Sequence, residues 1–249
     1  MATKDKQIHN HLLSSLPFEE LNRVSPHLEL ITLTLGEVLY ESGQQLNYVY
    51  FPTTSIISII YDLADGSTTG IAVVGNEGLL GISLFMGSET TTGRALVQIA
   101  GSAYRMKSEF LLQEFNRAET MMSLLFRYTL AYMTQITQTA VCNRHHSIGQ
   151  QLSRWLLFSM DRQPSNTLTM THGLISNMLG VRREGVTESA GKLQRLGLIT
   201  YKRGAITIID RLKLEQQTCE CYAIVKKEYD HLTATALNNH NSIVNEIYA

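Results

Sequence analysis

The chain has 249 residues, of which 44% are apolar and 17% charged, and its 21 Lys+Arg and 22 Asp+Glu give a net charge of −1. This length suits one or two domains of roughly 100–150 residues each. Three cysteines exclude a disulfide scaffold, and no apolar run approaches the ~20 residues of a membrane span. Because no charged-then-apolar leader is present, we expect a reduced, soluble, cytoplasmic protein without a membrane partner.

The small total charge hides two oppositely charged segments. Residues 14–109 contain four basic and ten acidic residues, a net charge of −6. Residues 172–213 contain eight basic and three acidic residues, a net charge of +5. Such an asymmetry indicates a nucleic-acid or membrane contact in the basic segment, although a small domain can also be basic without a polyanionic partner.

Residues 28–107 have the pattern of short strands separated by turns. Runs of β-branched and aromatic residues such as Tyr48–Phe51 and Ser55–Tyr61 alternate with turn residues, among them the Asp65-Gly66 pair. Many short strands at a turn spacing of roughly 8–12 residues predict a β-sandwich or barrel. We assign residues 12–107 to this β-rich domain.

The pattern changes to a helical one after Lys107. Residues 110–144 contain no Gly or Pro, which predicts one long helix of roughly 50 Å beginning near Ser108. Certain residues in it recur at alternating spacings of four and three, as in helices that pair with a partner helix; these are Leu125, Thr129, Tyr132, Ile136 and Thr139. We predict that residues 108–146 form a dimerisation helix with the first four of these residues in its seam. The alternative is a helix that packs on its own barrel.

The rest of the chain predicts a compact group of helices followed by a hairpin. The sequence indicates a helix over 147–162 that ends before Pro164, helices over 171–179 and 183–196 joined at Gly180, and a hairpin over 198–209. This order fits a winged helix-turn-helix domain over residues 147–213. Residues 214–249 are predicted to be an extension that is helical to about Leu237.

The helix over 183–196 has one apolar and one polar face. Val186, Ala190 and Leu193 fall at i, i+4 and i+7 and are predicted to be buried. Arg can bond a guanine edge and Glu can accept from a cytosine amino group. The residues predicted to read bases from the opposite face are Arg183, Glu184, Thr187 and Glu188. Those predicted to contact phosphates are Arg182, Lys192, Lys202 and Arg203.

The segment Thr171–Val186 and its continuation Lys192–Ile199 resemble the DNA-binding domain of Crp/Fnr-type transcription regulators, and the order of parts over residues 12–210 is similar. The resemblance implies an α+β chain with an N-terminal β-barrel sensor (jelly-roll, cyclic-nucleotide-binding-like), a long dimerisation helix and a C-terminal winged helix-turn-helix. It implies a homodimer on an inverted-repeat site in double-stranded DNA, and it admits RNA polymerase as a partner.

Two departures from that family concern specificity. An Arg-Glu pair reads bases in the family, which carries over to Arg183 and Glu184, but Glu188 stands where members often have Arg, so the preferred DNA sequence does not carry over. Cyclic-nucleotide-binding relatives use Gly-Glu and Arg-Ser pairs, where this chain has Gly81-Ile82-Ser83 and an Arg94 without a following Ser. We therefore predict a degenerate effector pocket, and the sequence does not identify a small-molecule effector for it. The residues of this pocket are Gly81, Ile82, Ser83 and Arg94.

No cofactor and no metal are expected. Iron–sulfur members of that family have an N-terminal cysteine cluster, whereas Cys142 is the first of only three cysteines here. The segment Cys142–His146 superficially suggests a metal motif, but adjacent residues on a helix do not face each other, so we interpret it as a hinge between helices.

An enzyme is also not expected. A cupin-like metal enzyme would have several His on its strands, and residues 28–138 contain no His. The main alternative function is a cyclic-nucleotide-like sensor module whose helix-turn-helix docks protein rather than DNA.

Overall fold

The computed structural model describes residues 8–163 and 165–232. Two short helices, α1 (His11–Ser14) and α2 (Phe18–Val24), and a 3₁₀ turn precede the first strand. Seven strands follow: β1 (Glu29–Leu33), β2 (Val38–Tyr40), β3 (Tyr48–Pro52), β4 (Ile56–Asp62), β5 (Thr68–Val74), β6 (Arg94–Ile99) and β7 (Gly101–Lys107).

These strands form two antiparallel sheets, with the orders β1-β7-β3 and β2-β6-β4-β5. One apolar core takes Val49 and Phe51 from the first sheet and Ile57 and Val97 from the second. The predicted β-rich domain of an α+β chain is therefore confirmed, as two sheets around a common core. The Asp65-Gly66 turn joins β4 to β5, and Gly66 has the positive φ of 83° that this turn requires.

The long predicted helix is interrupted, which corrects the expectation of one continuous helix. It consists of α3 (Ser108–Phe115) and α4 (Thr120–His145), and Ala118 between them has a φ of 58°. The Glu20 carboxylate on α2 accepts hydrogen bonds from the backbone N–H groups of Thr120 (3.1 Å) and Met121 (2.9 Å). A carboxylate at a helix N-terminus accepts hydrogen bonds from free N–H groups and interacts favourably with the positive end of the helix dipole. Glu20 of α2 therefore fixes where α4 begins.

The residues predicted for the dimer seam lie on the face of α4 that packs against the barrel, as in the alternative of a helix on its own barrel. Leu125, Thr129 and Tyr132 are buried in the core of their own chain, and Ile136 packs against that core. The alternating spacing identified a continuous helix face correctly, but that face lies against the barrel. The exposed apolar residues lie on another face of the same helix; they are Phe126, Leu130, Met133 and Val141.

The C-terminal part begins with α5 (Ile148–Asp161), where Ser147 and Gln150 form a capping box. The next elements are β8 (Thr167–Thr169), α6 (His172–Leu179), α7 (Arg183–Arg195), β9 (Ile199–Lys202), β10 (Ala205–Ile208), α8 (Arg211–Gln216) and α9 (residues 220–232). Strand β8 was not predicted, and it makes the hairpin a three-stranded sheet in the order β8-β10-β9. The predicted end of the extension near Leu237 and the helix-ending Pro164 lie outside the described residues.

A buried polar junction connects the barrel with the C-terminal part. The Arg162 side chain, which follows α5, donates to the Glu77 carboxylate at 2.7 Å, to the Phe158 carbonyl at 3.1 Å and to Gln135 of α4 at 3.4 Å. Gln135 in turn donates to the Tyr229 hydroxyl of α9 at 3.1 Å. We call this cluster the Glu77–Arg162 junction; it fixes four elements to one another through charge and hydrogen bonds.

Candidate nucleic-acid interface

The helix-turn-helix is formed by α6, a turn at Gly180, and α7. The Thr171 hydroxyl caps α6 by accepting from the Leu174 N–H, and Gly180 ends it with a φ of 64°, a conformation that costs glycine little. Val186, Ala190 and Leu193 of α7 are buried, as their spacing predicted. The opposite face of α7 is therefore turned away from the domain core.

That outer face carries the residues predicted to read bases. Arg183, Glu184, Thr187 and Glu188 are all exposed, and so are the predicted phosphate contacts Arg182 and Lys192. Within residues 8–163 and 165–232, no charged side chain of this set forms an ion pair. By contrast, barrel residues such as Arg23, Arg94 and Arg105 are each paired with a carboxylate.

The wing is a tight two-residue hairpin. Lys202 pairs with Ala205 across it, and the two central residues, Arg203 and Gly204, have φ values of 50° and 79°. These values are those of a type I′ turn, which matches the strand twist. Both Lys202 and Arg203 are exposed, so the turn presents two cations beyond the end of the sheet.

The wing and the helix-turn-helix meet at His172. Its ring stacks on Tyr201 of β9 with centroids 4.2 Å apart, and its Nδ1 lies 3.0 Å from the Thr187 hydroxyl of α7. Burial lowers the pKa of His172, and the nearby Arg183 guanidinium lowers it further. The lowered pKa favours the neutral form of this histidine, whose ring links α6 to α7 and β9.

The helix-turn-helix is packed directly on the barrel, a contact that the sequence did not reveal. A Cβ on Gly70 of β5 would lie 2.8 Å from the backbone oxygen of Met178 in α6, and one on Gly180 would lie 3.0 Å from the Thr69 hydroxyl. Only glycine permits so close an approach at position 70. The β4–β5 hairpin of the barrel thus touches α6 and the turn that precedes α7.

Three of the four predicted effector residues lie at one cavity. Gly81, Ile82 and Ser83 line a cavity of about 320 Å³, together with aromatic and aliphatic side chains. Arg94 does not line it; its guanidinium pairs with Asp62 at 3.0 Å. Tyr132 and Ile136 of α4, predicted for the dimer seam, instead form part of the cavity wall. The cavity is thus mainly apolar and directly adjoins α4.

Comparison with known proteins supports this reading of the fold. Residues 150–217 match the family of Crp-like helix-turn-helix domains. Residues 150–217 therefore form a Crp-like helix-turn-helix domain. The resemblance predicted from the segment Thr171–Val186 is therefore confirmed for the helix-turn-helix domain and for the order of the parts.

Solved structures share the fold at low sequence identity. FixK2 from Bradyrhizobium japonicum is 17% identical, with a TM-score of 0.65 over 77% of this chain and 98% of that one. A Crp/Fnr-family regulator from Eubacterium rectale is 17% identical, with a TM-score of 0.63 over 83% and 96%. The c-di-GMP-responsive regulator CLP of Xanthomonas campestris is 16% identical, with a TM-score of 0.62 over 78% and 100%. No curated protein sequence matches this chain.

Among the described residues, no helix has the length and apolar character that crossing a bilayer requires.

Proposed function

We propose that this protein is a sequence-specific DNA-binding transcription regulator of the Crp/Fnr type, which binds an inverted-repeat site as a homodimer. The observation that carries the proposal is the outer face of α7, whose charged residues are exposed and form no ion pair within the described residues, next to the cationic wing turn. We place its action in the cytoplasm on double-stranded DNA, with RNA polymerase as a further partner. The proposal assigns it no enzymatic activity.

Base reading would fall to the first turns of α7. Residues at the start of a recognition helix contact base edges in the major groove, and Arg183 is the first residue of α7. Glu184 and Glu188 would face an anionic groove, where the phosphates repel a carboxylate. A hydrogen bond donated to the carboxylate by a base amino group would offset this repulsion. Together these residues favour sites with guanine for the arginine and an amino-bearing base for the carboxylates. Arg182, Lys192, Lys202 and Arg203 would hold the phosphates on either side.

The exposed apolar face of α4 is our proposed dimer interface. Phe126, Leu130, Met133 and Val141 follow one another at spacings of four, three and eight, and the first three are each at least half exposed. A second copy of the same face would cover them in a parallel helix pair, as in a coiled coil. Such a two-fold dimer places two α7 helices in successive major grooves about 34–36 Å apart.

The cavity beside α4 is our proposed effector pocket. Its apolar and tyrosine lining suits an uncharged, largely apolar small molecule better than a cyclic nucleotide, because Ile82 cannot accept a hydrogen bond and Arg94 is engaged by Asp62. A ligand that bound one arrangement of α4 more tightly than another would shift the spacing of the reading helices.

Two variants test the assignment of roles on the DNA-binding face. Genomic fragments bound by the purified protein would be selected first, and affinity for the selected site and for random DNA would then be measured at several salt concentrations. We expect Arg183→Ala to weaken the selected site by about 1–3 kcal/mol and to leave random DNA nearly unchanged. We expect Lys202→Ala to weaken binding to both DNAs alike. It should also lower the slope of the logarithm of the binding constant against the logarithm of salt concentration by about one.

The same measurements distinguish the alternative function. A helix-turn-helix that docks protein would show no steep salt dependence on any DNA. Equal losses on both DNAs for Arg183→Ala would show that this residue does not read bases.

A further inference from the structure

Three cysteines and one histidine converge where α4 ends and α9 begins. Cys142 and His146 lie on the last turn of α4 and just after it, Cys219 precedes α9 and Cys221 lies in its first turn. One ligand atom from each of the four side chains lies within 4.8 Å of all the others. The three cysteines are buried and His146 is partly buried. We call this group the Cys₃His cluster.

The distances within the Cys₃His cluster suit a single metal ion. The Sγ atoms of Cys142 and Cys219 are 3.6 Å apart, and the Sγ of Cys221 is 3.7 Å from Nδ1 of His146. A tetrahedral zinc ion with Zn–S bonds of about 2.3 Å holds its sulfur ligands about 3.8 Å from one another. The two sulfurs are too far apart for a disulfide, whose bond is about 2.05 Å long, and the three cysteines are free thiols.

The ligand set selects the kind of metal. Three thiolates and one imidazole are a common ligand set for structural zinc, and no ligand position is left for a substrate. A four-iron cluster requires four cysteine ligands in its usual form, and the chain has three. Calcium and magnesium prefer oxygen ligands, of which the Cys₃His cluster has none.

The surroundings of the Cys₃His cluster are also those of a metal site. Nε2 of His146 lies 3.4 Å from the exposed Glu220 carboxylate, which would orient the ring so that Nδ1 points at the ion. Gln151 donates to the His146 carbonyl at 2.9 Å and so holds the end of α4. Three thiolates around Zn²⁺ leave one excess negative charge. Burial raises the pKa of the Cys142 and Cys221 thiols, and the positive charge of the buried Arg154 guanidinium opposes that rise.

The sequence contained a signal for this cluster, which the hinge interpretation did not use. Adjacent residues on a helix point apart, but Cys142 and His146 are four apart and share one face. Cys219 and Cys221 form a Cys-x-Cys pair whose place in the fold becomes visible only when α9 is packed against α4.

We propose that the Cys₃His cluster binds one zinc ion, which fastens the end of α4 to the start of α9. Metal binding energy then becomes folding energy for this joint. The ion would fix the direction in which the chain leaves α4 for α5. This inference does not depend on DNA binding.

The experiment uses the full-length protein, purified without chelator and dialysed against metal-free buffer. Metal content is measured by elemental mass spectrometry, and the apoprotein is then titrated with CoCl₂ and with ZnCl₂. We expect about one zinc per chain, a cobalt spectrum typical of tetrahedral thiolate coordination, and displacement of cobalt by zinc. We also expect bound zinc to slow the reaction of the three thiols with a thiol reagent.

Matched variants separate ligation from folding. His146→Gln and Cys219→Ser should lose zinc, whereas His145→Gln, at the exposed neighbouring position, should retain it. Glu220→Gln should keep the fold and weaken zinc binding about 10–100-fold. Circular dichroism checks that each variant is folded, and the wild-type titration stands even if one ligand variant does not fold.

Two results would overturn the proposal. One is a wild-type protein that takes up neither zinc nor cobalt while its thiols are reduced. The other is an intramolecular disulfide between Cys142 and Cys219 in the freshly purified protein, seen as the loss of two hydrogen atoms in its mass. Either result can be obtained whether or not the protein binds DNA.

Discussion

The proposed DNA-binding face, which is the exposed side of α7 with Arg183 and Glu184, and the Glu77–Arg162 junction use the same types of residue in opposite ways. On α7, Arg183 and Glu184 are neighbours in sequence, exposed, and without an ion-pair partner in the described part of the chain. In the junction, Arg162 and Glu77 are far apart in sequence, buried, and 2.7 Å from each other. A charged side chain can serve an external partner only where the fold leaves it unpaired.

The cost of burial explains why the junction needs its partners. Moving a charge out of water is expensive, and the cost is met only by close pairing and further hydrogen bonds. Burial acts to lower the pKa of Arg162, but the Glu77 carboxylate and Tyr229 outweigh it, so the pKa lies above its ordinary value. Arg162 therefore remains charged, and its role is to hold the barrel against α5 and α9.

Breaking the junction should produce the largest effect on stability. Arg162→Met removes the cation and leaves the buried Glu77 carboxylate uncompensated, which typically costs about 3–5 kcal/mol. Urea unfolding followed by circular dichroism would measure the change in the free energy of unfolding.

The matched control comes from the DNA-binding face. Arg183→Met, an equal chemical change at an exposed position, should alter stability by less than about 0.5 kcal/mol. The double variant Glu77→Gln with Arg162→Met should recover part of the loss, because no unpaired charge remains. Similar losses for Arg162→Met and Arg183→Met would contradict the contrast between the two regions.

The two faces of α4 provide the next comparison. Leu125 is 1% exposed and Leu130 is 60% exposed. We expect Leu125→Ala to lower the free energy of unfolding by about 2–5 kcal/mol through the cavity it leaves, without changing the oligomeric state. Leu130→Glu should leave the fold of the chain intact and convert the dimer to a monomer.

Light scattering coupled to size-exclusion chromatography measures this difference. The control is Arg127→Glu, which places the same residue at another exposed position of α4. A Leu130→Glu protein that remained dimeric would move the interface to another surface.

Much of the helix-turn-helix domain could be predicted because its determinants are local. The i, i+4, i+7 spacing of Val186, Ala190 and Leu193 was enough to identify the buried face of α7, and Gly180 marked the turn. In the barrel, the Asp65-Gly66 pair identified the β4–β5 hairpin for the same reason. Helix periodicity and turn chemistry act within a few residues, so one sequence reveals them.

The features that were missed depend on groups distant in sequence. The start of α4 is set by Glu20, about a hundred residues earlier, and no Gly or Pro marks the break. Periodicity showed that Leu125 and Tyr132 share a face, but not that the barrel covers it. The Cys₃His cluster likewise needs α9 beside α4. Each depends on which surfaces the fold brings together.

The smallest expected effect concerns His172, where the wing meets α7. Thr187 donates its hydroxyl proton to the Arg183 carbonyl, so the hydroxyl accepts from Nδ1 of His172. Nε2 is then the unprotonated nitrogen, and it is buried without a hydrogen-bond partner among the described residues. Protonation would bury an N–H without an acceptor, close to the Arg183 cation, which agrees with the lowered pKa of His172.

The sign of the pH dependence follows from that lowered pKa. The unfolded chain takes up a proton at its ordinary pKa of about 6.5, while the folded chain resists it, so stability is lost as the pH falls from about 7 toward the folded pKa. Urea unfolding at a series of pH values should show this loss in the wild type and a flatter profile in His172→Gln, with His145→Gln resembling the wild type.

Arg183→Met should raise the pKa of His172, measured by NMR titration of its ring protons, because it removes the cation. An unchanged pKa in that variant would show that the charge of Arg183 does not influence His172.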